Sequence, residues 1–431
     1  MGRSQETGGA MALTQGSVME LRGEFPALEQ TLEGRPIAFF DGPGGTQVHG
    51  SVIDAIATYY RQANSNAHGD FEFSRRTDAT VSAARVAAAD FLGAGSPKEI
   101  VFGPSMTTLA FNLSRAIGRI LDPGDEIVVT RLDHDANVAP WLALEERGAV
   151  VRTIDFDPSD CTLNLDAMQA AIGERTKLVA VGAASNAVGT VHPIERIAQW
   201  AHAVDAWIFV DAVQYAPHAP IDVAALDVDF LSCSAYKFFG PHLGLLWGRS
   251  ELLDALPAYK VIPADDAPPD KFETGTPSFE GMAGAAAAID YLASVGARFG
   301  KPEALSDGSR RERILAGMGA IRAYEQGLTD RLIEGLQTIP AVRIYGITDS
   351  SRADERMPVV AITVEGRKPV EVASRLDEDA IFLWTGDFYA VGAIERLGLA
   401  NSGGLIRIGI NHYNTAEEID RLLDRLAAIA R

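Results

Sequence analysis

Cysteine is nearly absent from this sequence, and its scarcity excludes two classes of protein. The 431 residues include only Cys161 and Cys233, which are too few for a disulfide framework or a cysteine-ligated zinc site. We therefore expect a reducing, cytoplasmic location and predict no metal site. No apolar run approaches the ~20 residues that a transmembrane helix needs, so we expect no membrane partner.

Positive charge is also scarce relative to negative charge. The chain has 38 Lys and Arg residues against 58 Asp and Glu residues, which gives a formal net charge of −20. A chain this acidic repels a phosphate backbone, so nucleic acid is not an expected partner. A dinucleotide fingerprint is missing too, because no glycine-rich turn with the right spacing joins an early strand to a helix.

The length of the chain suits two domains rather than one. Residues 1–17 are polar and rich in glycine, and we predict a flexible tail there. We predict a large cofactor-binding domain over 35–290 and a small C-terminal domain over 291–431. The segment 18–34 is predicted to pack against the small domain.

Short apolar segments alternate with helical patterns between residues 95 and 250. This alternation favours a mostly parallel sheet with helices on both faces, because each parallel crossover needs a connection that a helix supplies. Strands are predicted at 99–102, 126–130, 150–154, 177–182, 207–210, 230–232 and 244–247, and helices at 107–120, 138–147, 165–172 and 194–204.

The pattern changes in the C-terminal third of the chain. Long helical segments at 281–295 and 313–339 precede strands predicted at 342–345, 359–364, 382–383 and 405–410, with further helices at 369–379 and 416–430. The sequence thus predicts an α/β fold in which helices sandwich a mixed, mostly parallel sheet, followed by a smaller α+β domain. In such sheets ligands bind beyond the carboxyl ends of the strands.

Two charged residues stand directly at the ends of apolar strands. Lys237 follows the strand at 230–232, where a desolvated amine can act as a nucleophile, although a surface lysine is the plain alternative. Asp211 ends the strand at 207–210. A buried carboxylate needs a charged partner, and a protonated pyridine nitrogen is one. A helix cap is the competing interpretation of Asp211.

Three polar clusters follow other predicted strands. Thr107 and Thr108 open a helix, where hydroxyls and free N–H groups can bind a phosphate or merely cap the helix. His134 can stack on a planar ring or transfer protons, or it is a surface histidine between two acids. Asn186 can hydrogen bond to a ring oxygen or serve as a turn residue.

Arg407 lies inside an apolar strand and requires a negatively charged partner. That partner is either a substrate carboxylate held by the guanidinium fork or an internal acidic residue. Each cluster is weak evidence alone. Together they provide an amine nucleophile, a carboxylate for a ring nitrogen, a phosphate site, a stacking group and a carboxylate clamp, which is the set that pyridoxal 5'-phosphate (PLP) and an amino acid need.

From about Phe39 onward, these motifs resemble the class V aminotransferase superfamily and, within it, the cysteine desulfurases and selenocysteine lyases. The resemblance implies fold type I of the PLP-dependent transferases, a Schiff base on Lys237 that also moves the substrate α-proton, and Asp211 at the pyridine nitrogen. It further implies ring stacking by His134, ring-hydroxyl contacts by Gln214 and Asn186, and phosphate contacts by Thr107, Thr108 and Ser234.

The resemblance also implies a homodimer with shared sites. The segment around Thr276 resembles the one that reaches the phosphate of the other subunit. Arg407 resembles the carboxylate clamp, with Asn186 near the substrate carboxylate. Gly44 belongs to a small-residue loop, 41–45, that the family places near the substrate.

Three positions depart from the family pattern. Tyr236 stands where the family usually has a histidine that contacts the phosphate, and its phenol can still donate a hydrogen bond. Trp384 stands where an arginine is frequent. Tyr389 stands at the place of the catalytic cysteine of the desulfurases, and a phenol cannot form a persulfide.

We therefore expect a PLP-dependent enzyme that acts at Cα or Cβ of a small amino acid, without a persulfide on the protein. Desulfuration, β-elimination of a C–S bond, epimerisation and transamination all begin with the same proton removal, and the sequence leaves them open. A PLP-binding scaffold without catalysis and a PLP-free nucleotide- or sugar-phosphate-binding protein are the alternatives from other classes.

Overall fold

The computed structural model describes residues 13–300 and 308–431. Thr14 begins the first helix, Gln15–Arg22, and its hydroxyl accepts a hydrogen bond from the backbone N–H of Ser17 at 3.2 Å. The prediction of a tail over 1–17 is therefore wrong for its last residues, because this cap starts a regular helix, and the rest of that tail lies outside the described residues. Arg22 then forms a 3.0 Å salt bridge with Glu418, which holds the segment against the C-terminal helix.

The large domain is built on a seven-stranded sheet in the described part of the chain. Its strands are β1 (Ile100–Gly103), β2 (Glu126–Thr130), β3 (Val150–Ile154), β4 (Thr176–Gly182), β5 (Trp207–Asp211), β6 (Phe230–Ser234) and β7 (Gly244–Gly248). They are arranged in the order β1-β7-β6-β5-β4-β2-β3. Neighbours are parallel except at β7, which is antiparallel to both β6 and β1. The predicted mixed, mostly parallel sheet is confirmed.

The central strands are apolar because both faces of the sheet are covered. Every residue of β2, β6 and β7 is buried, as expected for parallel sheets between helical layers. The helices are α1 (Gln15–Arg22), α2 (Gly50–Gln62), α3 (Glu72–Leu92), α4 (Met106–Ile117), α5 (Ala139–Leu142), α6 (Leu165–Ala171), α7 (Ile194–His202), α8 (Ser250–Ala255), α9 (Phe279–Phe299), α10 (Arg310–Gln337), α11 (Pro369–Asp377), α12 (Val391–Arg396) and α13 (Ala416–Ile429). Across 13–300 and 308–431, none of the helices combines the length and apolar character needed to cross a bilayer.

The small domain contains a second sheet of four strands in the part that the structure describes. These are β8 (Val342–Tyr345), β9 (Val359–Val364), β10 (Trp384–Gly386) and β11 (Leu405–Gly409), in the order β8-β9-β11-β10 and all antiparallel. A short strand at Ala38–Phe39 pairs in parallel with Ile381–Phe382. The predicted boundary at residue 35 assigned this strand to the large domain, but Ala38 and Phe40 are buried in the core of the small one.

Two helices before the first large-domain strand, α2 and α3, were not predicted. Half of the buried residues of α3 are alanines, among them Ala84, Ala87 and Ala88, and small side chains give a weak apolar period. The helix predicted over 138–147 is divided into α5 and a 3-10 segment, Ala143–Arg147.

Helices α9 and α10 cross at two glycines. A Cβ on Gly296 would collide with the backbone carbonyl of Arg313, and one on Gly317 would collide with the carbonyl of Leu292. Only hydrogen atoms fit at this crossing, so the backbones of the two helices are in direct contact. This crossing joins the helical layer of the large domain to the long helix that enters the small domain.

The substitution Gly296→Ala is expected to destabilise the fold by about 2 kcal/mol or more, because overpacking against a rigid backbone costs ~1–3 kcal/mol. Gly327→Ala is the matched control on the same layer, since its added Cβ meets nothing within 4 Å. There the helix propensity of alanine should stabilise the protein by ~0.5–1 kcal/mol. Urea unfolding followed by circular dichroism measures both. Equal midpoints for the two variants would contradict the close crossing.

Candidate active site

A cavity of about 480 Å³ lies at the carboxyl ends of the parallel strands, between the large-domain sheet and the strands β10 and β11 of the small domain. Residues from both domains line it, which is the position that ligand sites take in open α/β sheets. The lining includes Gly44, Ser105, Met106, Thr107, Asp133, His134, Asn186, Asp211, Gln214, Ser234, Tyr236, Lys237, Trp384, Asp387, Phe388, Tyr389 and Arg407.

Lys237 lies in a single 3-10 turn, Ala235–Lys237, directly after β6. Its side chain is 8% exposed, and its Nζ donates a hydrogen bond to the carbonyl of Pro43. Burial is the main cause that lowers the pKa of Lys237 to about 7, and the positive charge of Arg407 adds to this effect. A substantial fraction of this amine is therefore unprotonated near neutral pH and can act as a nucleophile or a base.

Asp211 is the last residue of β5, and its carboxylate faces the same cavity. One oxygen, Oδ1, accepts a 2.9 Å hydrogen bond from the backbone N–H of Val213. Burial raises the pKa of Asp211 to about 6, partly offset by that hydrogen bond and by Lys237. The cost of burying this carboxylate is only partly offset by its contacts, so the carboxylate is suited to bind a cationic group of a ligand.

A second carboxylate, Asp133, was not among the predicted site residues. It accepts hydrogen bonds from the backbone N–H of Gly182 at 3.0 Å and from Asn137 at 3.0 Å. Burial, together with the charge of Asp211, raises the pKa of Asp133 to about 8. The sequence Asp-His-Asp suggested a solvated turn, and only the fold shows that its first acid is buried beside Asp211.

The amino terminus of α4 forms one wall of the cavity. Ser105 caps this helix and accepts a 3.1 Å hydrogen bond from the backbone N–H of Thr108. Ser105, Met106 and Thr107 line the cavity, whereas the Thr108 hydroxyl lies 3.0 Å from the Ser105 hydroxyl, behind the lining. Gly244 makes this possible, because a Cβ there would collide with the Ser105 backbone. A helix start with free N–H groups attracts an anion such as a phosphate ester.

His134 also lines the cavity and stands at the start of the 3-10 turn Asp135–Asn137. Its Nδ1 accepts a 3.0 Å hydrogen bond from the backbone N–H of Ala136, which places the ring proton on Nε2. Burial, with the charges of Lys237 and Arg407, lowers the pKa of His134 to about 4. The ring is therefore neutral near pH 7, and a neutral planar imidazole suits stacking better than ion pairing.

Arg407 is in the middle of β11 and is buried. Its Nη1 donates a 2.9 Å hydrogen bond to the carbonyl of Asn186, and the guanidinium carbon lies 4.1 Å from the centre of the Phe388 ring. Within the described ranges, Arg407 forms no salt bridge and its Nε has no hydrogen-bond partner. The alternative of an internal ion pair therefore does not hold, and the cation remains available in the cavity. Burial lowers the pKa of Arg407 to about 9.

The segment Asp387, Phe388 and Tyr389 crosses the mouth of the cavity and is held at several points. Phe388 and Tyr389 both have a left-handed backbone, with φ of 57°. The carbonyl of Phe388 accepts from the Asn186 side chain at 2.8 Å, and the carbonyl of Tyr389 accepts from the Asp135 N–H at 2.7 Å. The Tyr389 ring then stacks on His134 at 5.4 Å between centroids, while the residue stays 70% exposed.

Tyr236 and Trp384, two of the departures from the family pattern, both line the cavity. The Tyr236 ring stacks on His242 with centroids 4.9 Å apart, the Lys237 amine lies 4.9 Å from its centre, and Gly45 packs against it. Trp384 packs directly on Gly44, where a Cβ would collide with the indole nitrogen. The glycine predicted near the substrate is thus required by the close approach of this indole.

Thr276, like Thr108, is a predicted site residue that does not line the cavity. It lines a separate surface depression with His68, Arg85 and Gly275. Neither cysteine is among the lining residues: Cys161 and Cys233 are buried in the large apolar core, although Cys233 directly precedes the lining residue Ser234 on β6. Burial raises the pKa of Cys161 to about 11 and raises the pKa of Cys233 further.

The residues present fit PLP. The Asn186 Oδ1 atom is buried without a hydrogen-bond partner among the described residues, and the Asp211 carboxylate is buried without a salt bridge in that same set. The cavity also joins a helix amino terminus to an amine of lowered pKa. Lys237 would hold the cofactor, with Asp211 at its ring nitrogen, His134 at its ring face and the start of α4 at its phosphate.

The fold and this site define a PLP-dependent α/β protein. The sequence model of the family described as aminotransferase class-V matches residues 38–304 and 313–422. The chain belongs to the class V aminotransferase family, and the resemblance, the fold class and the cofactor predicted from the sequence are confirmed.

Relatives of the chain include proteins described as cysteine desulfurases. One from Serratia proteamaculans is 33% identical over 431 residues, covering 96% of this chain and 98% of that protein. A probable cysteine desulfurase from Mycolicibacterium paratuberculosis is 35% identical over 96% of this chain, but the chain spans only 58% of that longer relative and 65% of one from Mycobacterium leprae.

Solved structures that are similar to this chain also include cysteine desulfurases. The apo cysteine desulfurase from Thermococcus onnurineus matches with a TM-score of 0.84 and 28% identity, covering 96% of this chain and 98% of that one. The cysteine desulfurase CsdA from Escherichia coli, in an S-sulfonic acid form, matches with a TM-score of 0.80 and 26% identity over 95% and 98%.

Replacement of Lys237 by methionine is expected to stabilise the PLP-free protein. In the unfolded chain the amine regains its ordinary pKa of 10.5, so between pH 7 and 10.5 the unfolded state binds more protons and stability rises with pH. The free energy of unfolding of Lys237→Met should exceed that of the wild type by about 4 kcal/mol at pH 7 and about 2 kcal/mol at pH 9.

Denaturant titrations of the PLP-free proteins across this pH range measure the difference. Lys98→Met, at an exposed lysine, is the control and should show no gap of this kind. A gap for Lys237→Met that is independent of pH would mean that the amine is not desolvated as described.

Proposed function

We propose that this protein is a PLP-dependent enzyme that acts at Cα or Cβ of a small L-amino acid and does so without a persulfide on the protein. The observation that carries the proposal is the convergence of three buried charged groups on one cavity: the Lys237 amine, the Asp211 carboxylate and the Arg407 guanidinium. A scaffold without catalysis has no need for all three.

Each of these groups has a distinct task in the proposed reaction. Arg407, whose cation has no acidic partner in the described structure, binds the substrate carboxylate through its planar fork. When bound, PLP supplies an electron sink for negative charge at Cα. Lys237, with its pKa near 7, removes and returns the α-proton. The buried Asp211 carboxylate stabilises positive charge on the cofactor ring.

The described lining of the cavity contains no cysteine, which supports the second part of the proposal. Tyr389 is at the family's cysteine position, and its phenol cannot take up sulfur as a persulfide. Neither Cys161 nor Cys233 lines the cavity, and burial raises the pKa of both thiols. If L-cysteine is the substrate, the sulfur would therefore leave as free sulfide by β-elimination, with an α-keto acid and ammonia as the other products, because alanine plus sulfide would require a two-electron reductant.

Several outcomes remain within the proposed class. Proton removal at Cα precedes β-elimination of a C–S bond, desulfuration, epimerisation and transamination alike. The small domain contributes Trp384, Asp387 and Tyr389 to the cavity lining, and we propose that these side chains influence which of the reactions occurs. A PLP-binding scaffold without catalysis is the alternative from another class.

We also propose a homodimer in which Thr276 of one subunit reaches the phosphate of the other. Thr276 lies outside the cavity of its own chain, in a depression lined by polar residues such as His68 and Arg85. Exposed apolar side chains lie in the same part of the sequence, including Val261 and Ile262. A second copy of the chain would cover them.

The visible absorption spectrum provides the first test of the function. Wild type loaded with PLP should show an absorption band that Lys237→Ala lacks, because the amine binds the cofactor covalently. Addition of single L-amino acids, L-cysteine among them, should shift the band for the substrate. A Lys237-dependent band that no amino acid shifts would support the scaffold, and no band at all would refute the whole proposal.

Mass spectrometry after turnover tests the persulfide-free route. After incubation with the substrate, wild type and Tyr389→Phe should carry no added sulfur atom, because neither has a thiol at the cavity. Tyr389→Cys is the positive control, since it places a thiol at the same backbone position. A sulfur adduct on Cys161 or Cys233 of the wild type would contradict the proposed route.

A further inference from the structure

The Gln214 side chain is held from outside the cavity that it lines. Gln214 follows Asp211 in the turn after β5 and is 3% exposed. Its Nε2 lies 3.3 Å from Nε2 of His218, one turn further along the chain. His218 is not part of the cavity lining, so its contact with the site passes through Gln214.

His218 is held in turn by an acid from another part of the fold. Its Nδ1 lies 2.8 Å from Oε2 of Glu325, which belongs to α10, and the two side chains are 4% and 1% exposed. The backbone N–H of His412 and the guanidinium of Arg322 also face Glu325. The pair thus connects the turn that carries Asp211 and Gln214 with the helix that leads into the small domain.

The chemistry of the three groups gives this chain of hydrogen bonds one direction. An ionised Glu325 can only accept, so a neutral His218 donates to it through Nδ1–H, which leaves a lone pair on Nε2. That lone pair accepts an N–H from the Gln214 amide. The amide oxygen and the second amide proton are then free toward the cavity. Without Glu325, the proton of His218 can move to Nε2, and the Gln214 amide would have to turn over.

A buried acid and imidazole are a costly choice for a core position, because apolar residues of similar volume are often as stable or more stable there. We propose that His218 and Glu325 are positioning residues that fix the orientation of the Gln214 amide at the ring hydroxyl of the cofactor. This inference rests on the proposed function for the place of the ring hydroxyl, and it adds two residues that touch neither the cofactor nor the substrate.

A double-mutant cycle on PLP binding tests the inference without any substrate. The measured quantities are the dissociation constant of PLP and the pH midpoint of the Lys237-dependent absorption band at saturating PLP. Gln214→Met should weaken PLP binding by about five- to tenfold, the effect of one lost buried hydrogen bond, and should move the midpoint. Glu325→Met should reproduce both changes.

The decisive result comes from the double variant that combines the changes at Gln214 and Glu325. Gln214→Met with Glu325→Met should show no further loss beyond either change alone, because both remove the same contact. Glu325→Gln is the conservative control, since its amide oxygen can still accept from His218, and it should stay within about twofold of the wild-type dissociation constant, as a kept hydrogen bond requires. Additive losses, or a Glu325→Met protein with unchanged affinity and midpoint, would overturn the inference.

If Glu325→Met does not give folded protein, His218→Met completes the same cycle, because it removes the link while it leaves Glu325 near Arg322 and the His412 backbone. A wild-type protein that lacks the absorption band would refute the proposed function itself. A normal absorption band in the wild type, together with losses of PLP affinity that add in the double variant, would refute only the role assigned to His218 and Glu325.

Discussion

The removal of the Lys237 amine from water is the physical condition on which the rest of the site depends. An ammonium in this position would need a carboxylate in contact with it, and the structure instead provides the carbonyl of Pro43 and the nearby charge of Arg407. A substantial fraction of the amine is therefore unprotonated near neutral pH. The sheet makes this possible, because β6 is buried along its whole length and is followed directly by the buried turn that carries Lys237.

The remaining charges follow from the same low-dielectric environment. Asp211, Asp133 and Arg407 are each buried with incomplete compensation, and the direction of each pKa shift is toward the neutral form. Such an arrangement is unfavourable in an empty protein and favourable around a ligand that carries a ring cation, a phosphate and a carboxylate. The cost in stability and the capacity to bind are two consequences of one arrangement.

The fold was predictable where burial dictates composition. Strands covered on both faces must be apolar, so β2, in which every residue is buried, was predicted residue for residue. Lys237, Asp211 and Arg407 could be identified because a charge at the end of, or inside, an apolar strand requires a partner. By contrast, Asp133 and α3 were not identified, since an acid in a polar turn and a helix with an alanine face resemble ordinary surface sequence. The contacts of Tyr389 depend on two left-handed residues and on groups distant in sequence, which no local pattern contains.

In the loop that carries Tyr389, the position of residue 389 does not depend on which side chain it has. Its course is set by main-chain atoms: the carbonyls of Phe388 and Tyr389 are bound by Asn186 and Asp135, and the 389 N–H is bound by Asp387. None of these bonds involves the side chain of residue 389. The backbone would therefore deliver any residue at that position to the same point over His134. A family with this loop can acquire, lose or exchange a reactive group by one codon change while the fold and the cofactor site stay intact.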